Sequence, residues 1–375
     1  MKRLLVFVAL AVSLLAGCTA TEPDATEPVE EPFVEASGPV TVTDLAGREV
    51  TVPAEVERVV AIGSGSLRLV VYAGGLDKVV GVEQFEKDPP VRRPYTLAYP
   101  ALLDLPVIGA GGPNTTPDAE RLLAATPDVI FASTLVDVTG ADELQAATGI
   151  PVVVVDYGNL STIAEPFFMS MELVGEVLGT TDRSAEVVTY VHDVVADLAE
   201  RTAGLTEADK PTAYVGALGR SGSHGIDSTQ TKYFPFEAIG AANVAAAVEP
   251  PGSVTIDPEQ LLMWDPMHIF VDVHGLKLVR EDAATEPALY QGLSAVREGR
   301  VYTQLPVNSY FTNIEVALAD AYYTGTVLFP ERFADVDPVA KADEIALEIL
   351  GQPVYERLVG SYGRGYGSID LLSGE

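Results

Sequence analysis

Apolar residues recur at every third or fourth position from Thr181 to Arg201. Val187, Val188, Val191, Val194, Val195 and Leu198 share one helical face, while Glu186, Asp193, Asp197 and Glu200 fall off it. The spacing predicts a single helix capped by Thr181, with Asp182 near its positive end and Arg201 near its negative end. Some twenty residues at about 1.5 Å each span roughly 30 Å, enough to join two lobes. The same pattern also suits an ordinary surface helix of one domain. Valine is a modest helix former, so either way the helix depends on packing along that face.

Short apolar runs flank this helix on both sides. Arg58–Ile62, Val79–Val82, Asp128–Ala132 and Val152–Val155 precede it, and Ala213–Gly216, Ile269–Val271 and Arg300–Tyr302 follow it. Helical spacing separates them and continues through Asn313–Leu328 and Ala340–Leu350, an alternation that predicts mostly parallel sheets. Val40–Val52 alternates as a strand pair about a turn at Asp44 and Gly47. The Gly- and Tyr-rich stretch from Tyr355 to Ile369 carries no legible period. An ungapped repeat relates Thr116–Phe131 to Thr255–Phe270, matching at eight of sixteen positions. The matches include Asp118 with Asp257 and Glu120 with Glu259, and both copies read as capped helix, Pro-containing turn and buried strand. Shared polar positions favour two related lobes over two generic cores.

Composition narrows the class. A chain of 375 residues with 47% apolar content suggests two domains or one large one, and a net charge of −31 argues against nucleic acid. An acid-rich surface with few lysines points to life in salt. Lys2 and Arg3, the apolar run Leu4–Leu15 and the sequence Leu15-Ala16-Gly17-Cys18 resemble a lipoprotein signal peptide, which implies cleavage before Cys18 and a lipid on its sulfur. Cys18 is the only cysteine, so disulfides within the chain are excluded. Residues 18–39 are acidic and Pro-rich and read as an unfolded tether.

Ligands of open parallel sheets bind beyond the carboxyl ends of the strands, so the polar residues there are the candidates. On the first lobe they are Ser64 and Ser66 in the turn Gly63-Ser64-Gly65-Ser66, Glu83, Arg92 and Arg93, Tyr95, Tyr99 and Asn114. That Gly-Ser turn lacks the Walker lysine and the dinucleotide spacing, so a nucleotide is not expected. On the second lobe they are His224, Asp227, Gln230, Tyr233, Asp272, His274, Asn308 and Tyr310.

The order of elements, the stretch Thr43-Asp44-Leu45-Ala46-Gly47-Arg48 leading to Pro53, and Asp118-Ala119-Glu120 leading to Pro127-Asp128-Val129-Ile130 resemble the iron-siderophore and cobalamin class of substrate-binding proteins of ABC importers. The resemblance implies an α/β fold of two Rossmann-like lobes with mostly parallel sheets, joined by one long helix, with the ligand cleft between them. The corresponding boundaries are a signal peptide at 1–17, a tether at 18–39, lobes at 40–180 and 205–375, and a connecting helix at 181–204. It further implies a monomer lipid-anchored on the outer face of the cytoplasmic membrane, with no catalytic cofactor. Such a receptor delivers a ferric chelate or a cobamide to a permease dimer and its ATPase, with Glu120 and Glu259 docking on the permease.

A bulky metal complex needs aromatic walls, which Tyr95, Tyr99, Tyr233 and Tyr310 can supply, and Arg92 or Arg93 can grip an anionic chelate. His224 with Asp227 can touch a metal or hydrogen-bond a chelate, whereas His192 reads as exposed. A bare metal ion would call for about two or three convergent histidines with carboxylates, and the chain departs from the zinc-receptor relatives of that class in lacking a His-rich loop, which favours a chelate. The competing readings are a surface sensor for the same ligand and an extracytoplasmic hydrolase. The hydrolase lacks a Gly-x-Ser-x-Gly elbow.

Overall fold

The computed structural model describes residues 38–88, 93–112, 115–133, 138–220 and 222–373; the leader, Cys18 and nearly all of the tether lie outside them. Among the described residues no helix is long and apolar enough to cross a membrane. The chain enters through the antiparallel pair β1 (Val40–Thr43) and β2 (Glu49–Val52), with Val42 opposite Val50. The turn between them forms because the Asp44 carboxylate accepts from the Ala46 and Arg48 amides at 3.0 and 2.9 Å, while Gly47 takes a φ of 77°.

Two separate sheets follow. The first, all parallel, has the order β4 (Val79–Gly81), β3 (Val59–Ile62), β5 (Val129–Ala132), β6 (Val152–Val154). The second runs β13 (Gly367–Ser368), β12 (Val301–Gln304), β11 (His268–Asp272), β7 (Thr212–Gly216), β9 (Ala242–Asn243), parallel except for β13. A further small pair, β8 (Ser228–Gln230) with β10 (Ser253–Thr255), was not legible in the sequence.

Strand alternation sorts the core. Val60, Ile62, Ile130 and Ala132 pack on the outer side of the first sheet, and Tyr214, Ile269, Val271 and Val301 on the outer side of the second. The other faces, with Val59, Val129 and Phe131 from one sheet and Ala213, Val215 and Phe270 from the other, belong to one continuous apolar cluster. The helix Thr181–Arg201 lays Val187, Val191, Val194 and Leu198 into that shared cluster, so its valine face is buried where both halves meet. Each such side chain contributes about 1.5–3 kcal/mol of burial, which supplies what valine's propensity withholds.

The helix begins at Thr181, as the spacing predicts, but the expected cap is corrected. Thr180 occupies the cap position without a side-chain bond, because it is the only residue between this helix and the turn residue Gly179, and its amide closes the preceding helix on the Gly175 carbonyl. Asp182 and Arg201 stand in the first and last turns as expected.

The repeat is structural. Asp118 caps the helix Ala119–Ala125 and Asp257 caps Pro258–Trp264, by side chains accepting from Arg121 N and Glu259 N. Both helices end in a left-handed residue that is not glycine, Thr126 at φ 47° and Asp265 at φ 38°, before turning into β5 and β11. The unplaced tail forms the helix Tyr355–Tyr362 and the edge strand β13, and Arg357 donates to the Leu97 carbonyl at 2.8 Å.

Candidate functional site

The turn after β3 shows what occupies the carboxyl edge of the first sheet. Gly63 and Gly65 sit at φ 84° and 82°, and a side chain on either would run into Ser133 or the Tyr157 ring. The Gly63 amide points at an internal anion. Both oxygens of the buried Glu83 carboxylate lie on it at 3.1 and 3.2 Å. Glu83 follows β4, and the Gln84 and Phe85 amides after it donate to the carbonyls of Gly109 and Ala110. Gly111, at φ 68°, lets the chain pass so close that a Cβ there would strike Glu83. Glu83, Gly111, Gly112 and Asp118 line one shallow pocket, so the start of the helix bearing Glu120 adjoins this rim. Glu120 and Glu259 are both exposed.

The second half reaches across from the loop after β12. Asn308 bridges to Thr312, and between them Tyr310 and Phe311 both adopt left-handed backbone, φ 55° and 79°. Bulky residues rarely do so, and two in succession store of order 1–3 kcal/mol each unless their surroundings hold them. The holding group is Arg68, fully buried in the helix Ser66–Tyr72. Its guanidinium donates to the carbonyls of Ser309 and Thr312, both at 2.8 Å, and to Asn313 Oδ1 at 2.7 Å. So fixed, Tyr310 extends its hydroxyl to Glu83, donating at 2.7 Å, and accepts from the Gly112 amide at 2.9 Å. Its ring lies 4.5 Å from that of Phe85, with the Arg93 guanidinium 5.1 Å away. Burial pushes the Glu83 carboxyl up to about 7 despite the bonds from Tyr310 and Gly63, and burial with Glu83 pushes the Tyr310 phenol up.

The expected residues divide into those at this junction and those spent on the fold. Glu83, Arg93 and Tyr310 meet at it, with Ser64 half-buried in the adjoining turn. Ser66 is buried, its hydroxyl without a partner among the described residues. On the opposite rim His274 and Asn308 flank Gly219, Asn308 donating to Ser161 Oγ at 2.7 Å and to the Gly219 carbonyl at 3.1 Å. The loop of half-buried His224 packs on Gly275, and half-buried Asp227 lies close to the exposed Asp282. Next to this rim is a recess of about 1040 Å³ lined by Ser223, His274, Lys277, Arg280, Tyr362 and Arg364.

Five expectations are corrected. Tyr95 is fully buried with its hydroxyl on the Glu86 carboxylate at 2.8 Å, and Tyr233 is fully buried against the Gln304 amide. Tyr99 bonds the Leu350 carbonyl, and buried Gln230 donates to the Leu160 carbonyl at 2.8 Å. Nor does Arg93 face outward. It is buried, paired with Glu86 at 3.2 Å and bonded to the Phe85 carbonyl at 3.0 Å, because a guanidinium under an aromatic pair needs fixed acceptors. Arg92 and Asn114 lie outside the described residues, and His192 is exposed, stacked on Phe168 at 4.2 Å. Sequence reasoning missed Phe85 and Arg68. The signal for Arg68 was present: an arginine inside the apolar run Leu67 to Val71.

Comparison with known proteins agrees with this geometry. The family model described as periplasmic binding protein matches residues 59–306, from β3 to just past β12. The chain is 28% identical over 310 residues to a cobalamin-binding protein of Halobacterium salinarum, covering 82% of this chain and 78% of that one. It is 25% identical to the molybdate-binding protein MolA of Haemophilus influenzae, covering 79% and 86%. A solved periplasmic solute binding protein from Veillonella parvula superposes with a TM-score of 0.68 over 87% of this chain and 97% of that one, at 18% identity, which speaks for the fold. The match runs through both sheets, and with these relatives it marks a substrate-binding protein of the ABC-transporter type and not an enzyme: the chain belongs to the periplasmic binding protein family.

Proposed function

We propose that this protein is the monomeric, lipid-anchored extracytoplasmic receptor of an ABC importer, and that it captures a cobamide between its two lobes for delivery to a permease dimer. The lobes are residues 40–180 and 205–375 with the connecting helix between them, and Cys18 carries the lipid. The observation that carries the ligand is the state of the arginines at the junction. Arg68 and Arg93 are both buried and committed to internal acceptors, which leaves aromatic and neutral hydrogen-bonding groups and the Glu83 carboxyl to meet a ligand there. A corrinoid, bulky and edged with neutral amides, fits that chemistry better than a small oxyanion such as molybdate. The cobalamin-binding relative points the same way. Shared core along the connecting helix supports a largely preformed cleft with small lobe movements.

A second reading has its own observation. Lys277, Arg280 and Arg364 line the recess beside His274, and in so acidic a chain that cluster suits an anionic ferric chelate. Calorimetric titration with cobalamin, ferric siderophores, haem and molybdate separates the two: saturable binding of cobalamin alone is expected, and binding of a ferric siderophore with no response to cobalamin refutes the first reading. For delivery, Glu120→Arg and Glu259→Arg should abolish capture by the permease while leaving ligand affinity within about twofold, since both carboxylates are exposed at the starts of their helices.

A further inference from the structure

The Tyr310 phenol fills a slot that is complete without it. Glu83 offers an acceptor at 2.7 Å, the Gly112 amide a donor at 2.9 Å, and Phe85, its ring tilted 52° at 4.5 Å, together with Arg93 at 5.1 Å closes one side. Gly111 and Gly112 keep it narrow, since a Cβ on the first would strike Glu83 and one on the second would stand 3.1 Å from Phe85. We propose that this slot is the first lobe's subsite for a flat neutral group that donates and accepts at once, a primary carboxamide on the ligand, and that the ligand enters by displacing Tyr310. The inference rests on the corrinoid reading and deepens it, because a corrin ring carries such amides around its edge.

Chemistry sets the selectivity. An amide N–H replaces the phenol as donor to Glu83, and the amide oxygen replaces it as acceptor for Gly112. A carboxylate in the same place would put two like charges in one buried site, and a bare cation would leave the Gly112 amide unpaired. The occupant can also leave. Tyr310 and Phe311 both hold left-handed backbone, so withdrawal from the slot allows the loop a less strained conformation.

Two experiments test this at about pH 8.5, above the value of about 7 to which burial raises Glu83 in the wild type. In the first, cobalamin is titrated into the wild type and Tyr310→Phe, which keeps the ring and loses the bonds that hold it in place. Binding about tenfold tighter is expected, because the competent state is more populated; unchanged or weaker binding overturns the displacement. In the second, ligand-observed NMR measures acetamide and acetate on Tyr310→Ala, with folding checked by thermal unfolding. Acetamide should bind and acetate should not, and Glu83→Gln in that background should admit acetate. Equal binding of the two, or none of acetamide, overturns the subsite. If the wild type binds no corrinoid yet Tyr310→Ala takes acetamide over acetate, the cobamide reading fails and the subsite stands. If cobalamin binds while both slot tests fail, the cobamide reading stands and the subsite falls.

Discussion

Replacing Arg68 by Met should cost more stability than removing any exposed ion pair of the molecule. The side chain is 0% exposed and holds three acceptors of the second lobe, Ser309 O, Thr312 O and Asn313 Oδ1, at 2.7–2.8 Å. It also lies over the rings of Tyr95 and Tyr157 at 5.1 and 5.9 Å, and its charge offsets buried Glu315, which bonds Tyr72. Methionine fills similar volume, so the packing loss is small. What remains is three acceptors without donors, two buried and one half-buried, at about 1–3 kcal/mol for each buried one, and a carboxyl pushed up further by the loss of its cation. Against this stands the desolvation cost of the guanidinium itself, which the variant no longer bears, so a net loss of about 3–5 kcal/mol is expected. Urea unfolding of wild type and variant at pH 7 measures it. Arg68→Lys should recover little, since one ammonium cannot serve three acceptors fanned about a plane. Adding Glu315→Gln should return about 1 kcal/mol or more by coupling. A loss below about 1 kcal/mol for Arg68→Met would show that the lobe junction does not depend on this residue.

Three further outcomes follow from the same geometry. Glu83, raised from 4.5 to about 7 chiefly by burial, binds its proton more tightly folded than unfolded, so its contribution is full below pH 4.5 and is lost as pH rises toward 7. That loss is about 3 kcal/mol, and Glu83→Gln should remove this part of the slope in unfolding measured between those limits; Glu86, Arg93 and Tyr310 face the carboxyl and shape the curve. Leu198→Ala, in the shared core, should lower stability by about 2–5 kcal/mol, whereas Glu200→Ala on the exposed side of the same helix should stay within about 0.5 kcal/mol by the same assay. The repeat predicts opposite signs at equivalent positions. Thr126→Gly relieves a left-handed β-branched residue and should stabilise by up to about 1 kcal/mol, while Asp265→Gly removes the carboxylate that holds Ser294 at 2.7 and 2.6 Å and should destabilise.

Where the cause of a feature lies within a few residues, the sequence carried it. The helix over Thr181–Arg201 was readable because its apolar period and terminal charges are local, although its cap was not, since that depended on how the preceding helix closes. Asp118 and Asp257 were readable as caps because an Asp before a helix bonds an amide two or three positions on. The tyrosines show the limit. Tyr95, Tyr233 and Tyr310 look alike as polar aromatics near a rim, yet two are sealed in the core and one reaches the other lobe.

Taken alone, the chain determined its alternation of strand and helix, its repeated unit, the long helix over Thr181–Arg201 and the face by which that helix is buried, because periodicity and capping are short-range properties. Tertiary structure decided the site. Tyr310 meets Glu83 across 227 positions and Arg68 meets Asn313 across 245, and no local pattern encodes contacts made only when two sheets share one core. Which arginines are spent and which phenol fills the slot follow from that convergence, because a buried charge or hydroxyl takes whichever partner the fold brings within about 3 Å.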